Sequence, residues 1–164
     1  MSFSKVTDSV LYVGVDDTTI DLFENQYDVA DVGVSYNSYV IMDEKIVIMD
    51  TVDARATDAW LANLKEVLGD KTPDYLVVSH MEPDHASNVA KLAALYPNMQ
   101  VVGNAKTFVM IGQFFGTDAV PADRQVEVKE GSTLEIGKHC LTFLMAPMVH
   151  WPETMVAYES TEKI

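Results

Sequence analysis

Cysteine is nearly absent from this chain, since Cys140 is the only one among its 164 residues. A disulfide within the chain is therefore excluded, which fits a reducing compartment better than secretion. The first ten residues, MSFSKVTDSV, also lack the basic segment and the apolar core of a signal peptide. We therefore expect a cytoplasmic protein.

Basic residues are also scarce: the chain has 11 lysines and arginines against 25 aspartates and glutamates, and its formal net charge is −14. An acidic surface repels phosphate backbones and anionic lipid heads, so we expect no nucleic acid and no membrane as partner. No apolar run approaches the length of a membrane span. The hydrophobic content of 48% is nevertheless enough for a globular core.

Hydrophobic periodicity predicts an alternation of strands and helices. We predict strands over residues 6–15, 31–49, 75–78 and 100–103, helices over 56–68, 86–96 and 105–115, and mostly strand over 125–158. Turns are expected at 43–45, 130–131 and 137–138, and Gly69 is expected to cap the first helix. This order of elements indicates an α/β layered sheet within one domain. The chain stops at Ile164 directly after a strand-like run, so we expect the domain to continue beyond it.

One loop carries four side chains that can bind a metal. The segment SHMEPDH, residues 79–85, follows the predicted buried strand and contains His80, Glu82, Asp84 and His85. His80 and Glu82 are two residues apart, so in an extended segment they point the same way. Asp84 and His85 come after Pro83, at the entry of a helix, and take another direction. Isolated residues of these types are usually structural, and Asp84 alone would suit a helix N-cap. Four in one loop predict a metal site.

The ligand types narrow the choice of metal. Imidazole and carboxylate without thiolate suit iron, manganese or zinc. Zinc hydrolases more often use several neutral histidines, whereas carboxylates neutralise cation charge and stabilise higher oxidation states. Glu82 therefore favours redox-active iron.

The motif H-x-E-x-D-H at residues 80–85 resembles that of the flavodiiron family of oxygen and nitric oxide reductases. The hydrolases of the same fold carry a histidine where Glu82 stands. Two further stretches are similar to this family: YNSY at 36–39 followed by MDTV at 49–52, and HWPETM at 150–155. The resemblance covers essentially the whole chain. It implies a metallo-β-lactamase-like αββα sandwich, of which residues 1–164 form the first half to two-thirds.

The resemblance also implies a ligand set and cofactors. His80, Glu82 and His150 would bind one non-haem iron, and Asp84 and His85 the other, with His85 the least secure of the five. A bridging aspartate, a further histidine and a flavodoxin-like FMN domain would lie beyond Ile164. Because Asp84 and His85 are too few to retain an ion, we expect this chain to hold at most one metal firmly and to be inactive alone.

The family further implies partners and a reaction. Rubredoxin or a similar small redox protein would supply electrons, and FMN would pass them to the irons across a head-to-tail homodimer. Dioxygen would be reduced to water, or nitric oxide to nitrous oxide. Trp151 would then lie near the flavin, although a packing role is equally compatible with its position.

Two other functions are compatible with the sequence. One is a zinc hydrolase of the same fold, against which Glu82 and the 150–152 motif argue. The other is a di-iron oxygen sensor without enzymatic activity. For the neighbouring residues we expect Asp53 to cap a helix and Asp50 to orient a ligand histidine. His139 and Cys140 are expected to be structural or surface residues rather than ligands.

Overall fold

The structure is a computed structural model and describes residues 4–164. Residues 1–3, which belong to the segment that lacks signal-peptide features, lie outside the described residues. The strands are β1 (Ser4–Lys5), β2 (Val10–Tyr12), β3 (Val15–Asp17), β4 (Leu22–Phe23), β5 (Tyr27–Asp28), β6 (Val34–Tyr36), β7 (Tyr39–Ile41), β8 (Val47–Met49), β9 (Tyr75–Val77), β10 (Gln100–Gly103), β11 (Gln125–Glu127), β12 (Thr133–Glu135), β13 (Cys140–Met145) and β14 (Met155–Glu159). The helices are α1 (Thr57–Leu68), α2 (Pro83–Ala86), α3 (Val89–Leu95) and α4 (Ala105–Phe115). None of them, in the part of the chain that the structure describes, is long and apolar enough to cross a membrane.

A mixed sheet of seven strands forms the centre of the fold. Its strand order is β1-β2-β7-β8-β9-β10-β11. The pairs from β1 to β8 are antiparallel, and those from β8 to β11 are parallel. A smaller antiparallel sheet has the order β12-β13-β14, and β3-β6 and β4-β5 form two-stranded pairs. The helices α1 and α4 connect parallel strands, as βαβ crossovers require.

The large sheet is apolar on both faces, because it separates two hydrophobic cores. Successive residues of its strands alternate between these cores. Val40, Ile48 and Leu76 face the core that contains Trp60 and other residues of the helices. Ile41 and Val47 face the core that is shared with the small sheet. Helices, large sheet and small sheet therefore form three successive layers, in agreement with the predicted α/β sandwich.

Helix α1 ends as predicted and begins one residue later than predicted. Asp53 accepts the main-chain N–H of Arg55 and caps a short 3-10 turn that leads into α1, so its expected role is confirmed. Gly69 adopts a positive φ of 58° and follows the last helical residue. The strand 100–103 and the helix 105–115 also have the predicted bounds.

The predicted helix over 86–96 is wrong at its start, where the structure has two short helices. The break lies at Asn88, whose side chain donates to the main-chain carbonyl of Val52 and accepts from Thr57. The main-chain N–H of Asn88 donates to Thr51. These contacts connect Asn88 to the loop after β8. Periodicity cannot predict them, because they join residues far apart in sequence.

The prediction of mostly strand over 125–158 is wrong over 146–154, which forms turns between β13 and β14. Two prolines, Pro147 and Pro152, lie in this segment, and proline cannot donate to a strand ladder. The predicted strand 6–15 is likewise divided into β2 and β3, and the small β4–β5 hairpin was not predicted at all. The segment 146–154 is the one that carries His150.

Candidate metal centre

Three predicted ligands meet at one point above the end of β9. His80 Nε2 lies 3.1 Å from Glu82 Oε2 and 3.2 Å from His150 Nε2. His150 Nε2 lies 2.9 Å from Glu82 Oε2. One donor atom from each of the three residues lies within 4.8 Å of the other two. Donor atoms at such spacing can surround a single metal ion.

The three side chains differ in how firmly they are held. The His80 side chain is 8% exposed and that of Glu82 is 13% exposed. His150 comes from the turns between β13 and β14, and its side chain is 63% exposed. His80 and Glu82, on the loop after β9, therefore form the buried side of the cluster, and His150 forms its solvent-exposed side.

Main-chain hydrogen bonds fix the loop that follows β9. Asp50, directly after β8, accepts the main-chain N–H of Ser79 at 2.6 Å. The main-chain N–H of Met155 donates to the carbonyl of Ser79 at 3.0 Å. Pro83 is the first residue of α2. A main-chain N–H at this position would have no partner within the helix, so its absence in proline costs no helical hydrogen bond. His80 and Glu82 thus lie on the same side of an extended segment, as predicted.

Asp84 and His85 lie next to the first three residues. His85 Nε2 is 3.6 Å from Asp84 Oδ2, while His85 Nδ1 is 3.2 Å from Asp50 Oδ2. The rings of His80 and His85 have centroids 5.4 Å apart. The expected role of Asp50, to orient a histidine, is consistent with this contact. Two adjacent donor sets are therefore formed, with the smaller one held by Asp50.

The electrostatics of these residues favour a cation between them. Burial and the neighbouring carboxylates Glu24 and Asp84 raise the pKa of Glu82. Burial also raises the pKa of Asp84 and outweighs the effect of His85. Burial alone would lower the pKa of His85, but its hydrogen bond with Asp50 and the nearby carboxylate charges raise it to about 9. Carboxylates are crowded here, and a bound cation would relieve their repulsion.

Asp84 provides a separate sign that the donor set suits a metal. Its Oδ1 atom is buried and has no hydrogen-bond partner among the residues that the structure describes. Buried polar atoms are almost always paired, and a missing ion is one cause of an exception. Asp84 lies beside the cluster of three and not within it. The imidazole and carboxylate donors of the cluster itself fit one divalent iron, manganese or zinc ion. Among the described residues 4–164 this is the one group of three or more such donors.

Sequence reasoning did not identify Glu153, although it contacts the site. This side chain is fully buried and lies three residues after His150. Its Oε1 atom is 2.7 Å from His80 Nδ1. Its place in the HWPETM stretch was the only available signal, because the contact joins residues 73 positions apart. Trp151 was identified, and its ring centroid lies 5.3 Å from that of His80.

The other sequence expectations near the site can now be compared with the structure. His139 is buried and bonded to Asp43 and Ser9, away from the donor cluster, so its structural role is confirmed. Cys140 begins β13 and is a free cysteine.

Comparison with known proteins supports the resemblance derived from the motifs. Residues 34–164 match the model of a family described as "ODP family beta lactamase". The chain is 32% identical to the nitric oxide reductase of Moorella thermoacetica over 97% of this chain and 39% of the relative. It is 34% identical to the rubredoxin-oxygen oxidoreductase of Megalodesulfovibrio gigas over 100% of this chain and 40% of the relative.

Solved structures agree with the sequence relatives. The crystal structure of the flavodiiron protein from Giardia intestinalis has a TM-score of 0.87 and 29% identity, with 97% of this chain and 38% of that chain covered. The predicted metallo-β-lactamase-like fold is therefore confirmed. This chain spans about two-fifths of the length of the relatives that it matches.

Proposed function

The chain belongs to the ODP beta-lactamase family, and from this membership we propose that it forms part of an iron-dependent oxidoreductase that reduces dioxygen to water or nitric oxide to nitrous oxide. The observation that carries the proposal is the convergence of two imidazoles and one carboxylate within 4.8 Å. Relatives named nitric oxide reductase and rubredoxin-oxygen oxidoreductase support the choice of reaction.

In this proposal His80, Glu82 and His150 hold one iron, and Asp84 and His85 contribute to a second. A set of two histidines and one carboxylate leaves coordination positions open, as non-haem iron oxygenases require. When bound, iron at these positions would supply the redox electrons and a binding place for the gas. The remaining ligands of the second ion would come from sequence outside this chain.

The residues of this chain balance the charge of the proposed metal ions and line a path by which a gas can reach them. Glu82, Asp84 and Asp50 concentrate negative charge that favours a more highly charged cation. An apolar cavity of about 300 Å³ between the two sheets reaches Asp50 and His85. Such a lining suits a small uncharged gas better than a charged substrate.

A second cavity, bordered by Glu82, has a mixed polar and apolar lining, and we propose that it carries the protons that the reduction consumes. It measures about 180 Å³, and its lining includes Glu24, Asp53 and Arg55 as well as Glu82 and Asp84. Carboxylates in such a lining can bind and release protons at the edge of the site.

The proposed reduction also needs a source of electrons. We infer that FMN is bound outside this chain and reaches the site across a head-to-tail homodimer. Rubredoxin or a similar small protein is the proposed electron donor, since one relative is named for it. Trp151 lies at the exposed side of the cluster next to His150, which is where a flavin could approach. A cytoplasmic location is consistent with the single free cysteine.

The test is gas consumption by a full-length protein that contains this chain, loaded with iron and FMN under anaerobic conditions. With reduced rubredoxin as donor, we expect consumption of dioxygen, nitric oxide or both at an electrode, and its loss in His150→Ala. Met148→Ala, in the same segment and 70% exposed, is the matched control. Zinc-dependent hydrolysis of a lactam or thioester without gas consumption would replace the proposal with the hydrolase. Reversible oxygen binding without turnover would replace it with the sensor.

A further inference from the structure

Glu153 is a fully buried carboxylate that no ligand assignment uses. Its Oε1 atom accepts the main-chain N–H of Met81 at 2.8 Å and lies 2.7 Å from His80 Nδ1. Its Oε2 atom is buried and has no hydrogen-bond partner within the described residues. Burying a carboxylate is costly unless it is paired. Glu153 is buried although its Oε2 atom has no partner among the described residues, which indicates a role for its charge or for its contact with His80.

A carboxylate oxygen faces each ring nitrogen of His80, Glu153 Oε1 at Nδ1 and Glu82 Oε2 at Nε2. His150 Nε2 also lies 3.2 Å from His80 Nε2. A metal ion bound at the cluster would take the lone pair of Nε2. The ring hydrogen would then remain on Nδ1, where Glu153 accepts it. The position of Glu153 therefore prepares His80 to bind a metal through Nε2.

Glu153 also joins the two segments that supply ligands. It lies in the turns between β13 and β14, three residues after His150, and binds both the side chain of His80 and the next main-chain N–H. Asn104, the N-cap of α4, donates its side-chain N–H to the Glu153 carbonyl at 2.6 Å. Glu153 thus links the β13–β14 connection, which carries His150, to the loop after β9, which carries His80.

We propose that Glu153 is the positioning residue of this metal site, which holds His80 as an Nε2 ligand and strengthens its bond to the metal. This inference rests on the proposed metal site and concerns how that site is assembled. Partners of this kind, which accept the second N–H of a ligand histidine, typically change metal affinity by 10- to 100-fold.

The first test uses the wild-type chain loaded with Zn²⁺, which is diamagnetic, and needs no substitution. Nitrogen-15 correlation spectra of the histidine rings show which ring nitrogen of His80 carries hydrogen and which binds the metal. We expect Nε2 to bind the metal and Nδ1 to carry the hydrogen. Zn²⁺ bound through Nδ1, or hydrogen on Nε2 of the loaded chain, would overturn the proposal.

The second test measures binding of Co²⁺, detected by its visible absorption, in Glu153→Gln and Glu153→Ala. The glutamine retains an acceptor for His80 but loses the charge, so we expect about 10-fold weaker binding with the ring form unchanged. The alanine loses both, so we expect binding weaker by up to about 100-fold and a changed ring form. Glu159→Gln is the control, because Glu159 is also buried but accepts main-chain N–H groups of residues 161 and 162.

The outcomes separate this inference from the proposed function. If either folded Glu153 variant binds Co²⁺ as tightly as Glu159→Gln does, the proposal is wrong. If the alanine variant fails to fold, the glutamine variant and the wild-type spectrum decide. A finding that zinc hydrolysis is the real activity would refute the proposed function but leave the role of Glu153 testable, since Co²⁺ occupies the same donors.

Discussion

His150 is a proposed metal ligand although most of its side chain is exposed to solvent. An exposed side chain contributes little to packing, and substitutions of such residues usually change stability by less than about 0.5 kcal/mol. His80, by contrast, is buried and bonded to Glu153, so its removal would affect folding and metal binding together. Substitution of His150 can therefore test metal binding with little effect on stability.

We predict that His150→Ala lowers the affinity for a divalent metal at least about 10-fold and leaves the free energy of unfolding of the metal-free chain unchanged. The reason is that one of three donor atoms is lost and no buried apolar surface is lost. Affinity is measured by anaerobic titration, and stability by urea unfolding. Unchanged affinity in His150→Ala would remove this residue from the ligand set, and equal losses in Met148→Ala would assign the effect to the segment as a whole.

Among the elements, the β7–β8 turn is held to the β12–β13 turn by Asp43 and His139. Asp43 Oδ2 lies 2.7 Å from His139 Nδ1 and accepts the main-chain N–H of the same residue at 2.8 Å. Gly137 is needed beside it, because a Cβ atom there would lie 2.4 Å from Asp43 Oδ1. Ser9 extends the network by its hydroxyl, 2.9 Å from His139 Nε2. Two sheets are thus connected at one end by a polar cluster.

This cluster predicts a pH dependence of stability. Burial alone would raise the pKa of Asp43, but hydrogen bonds from the ring and main chain of His139 and from adjacent turn residues lower it to about 2. The unfolded carboxyl has a pKa of about 3.9. Because the folded value is lower, the stabilisation is complete above about pH 5 and is lost as the pH falls to about 2. It amounts to about 2.5 kcal/mol.

Asp43→Asn should therefore be less stable than the wild type at pH 7, and the difference should shrink as the pH falls from 4 to 2. Urea unfolding of the metal-free chain, followed by circular dichroism at several pH values, measures both quantities. Asp70→Asn, at an exposed turn after α1, controls for the general loss of a carboxylate. A difference that stays constant over this pH range would contradict the account of Asp43.

Elements were predictable where local signals sufficed. Helix α4 has an Asn104 cap and a following Gly116, and both of its bounds were predicted. The break at Asn88 and the turns over 146–154 were not predicted, because hydrogen bonds to distant segments decide them. Periodicity describes how a segment packs on one face and carries no information about such partners.

For the whole molecule, the three-layer arrangement explains why the sequence predicted the donor residues but not the buried Glu153 that contacts them. The loop after β9 brings four candidate ligands together in sequence, so the residue types alone identified them. His150 is 70 positions from His80 and was identified through the resemblance to a family. Glu153 escaped prediction because a buried glutamate has no local signature, and only the packing of the β13–β14 connection against β9 brings it to His80.

We propose that His80, Glu82 and His150 together hold one iron ion. Anaerobic titration of the 164-residue chain with Fe²⁺, followed by measurement of the bound metal, tests this assignment. We predict one firmly held ion per chain, lost in His80→Ala, Glu82→Ala and His150→Ala but retained in Asp84→Ala. Two firmly held ions, or one that survives the loss of both His150 and Glu82, would contradict this assignment.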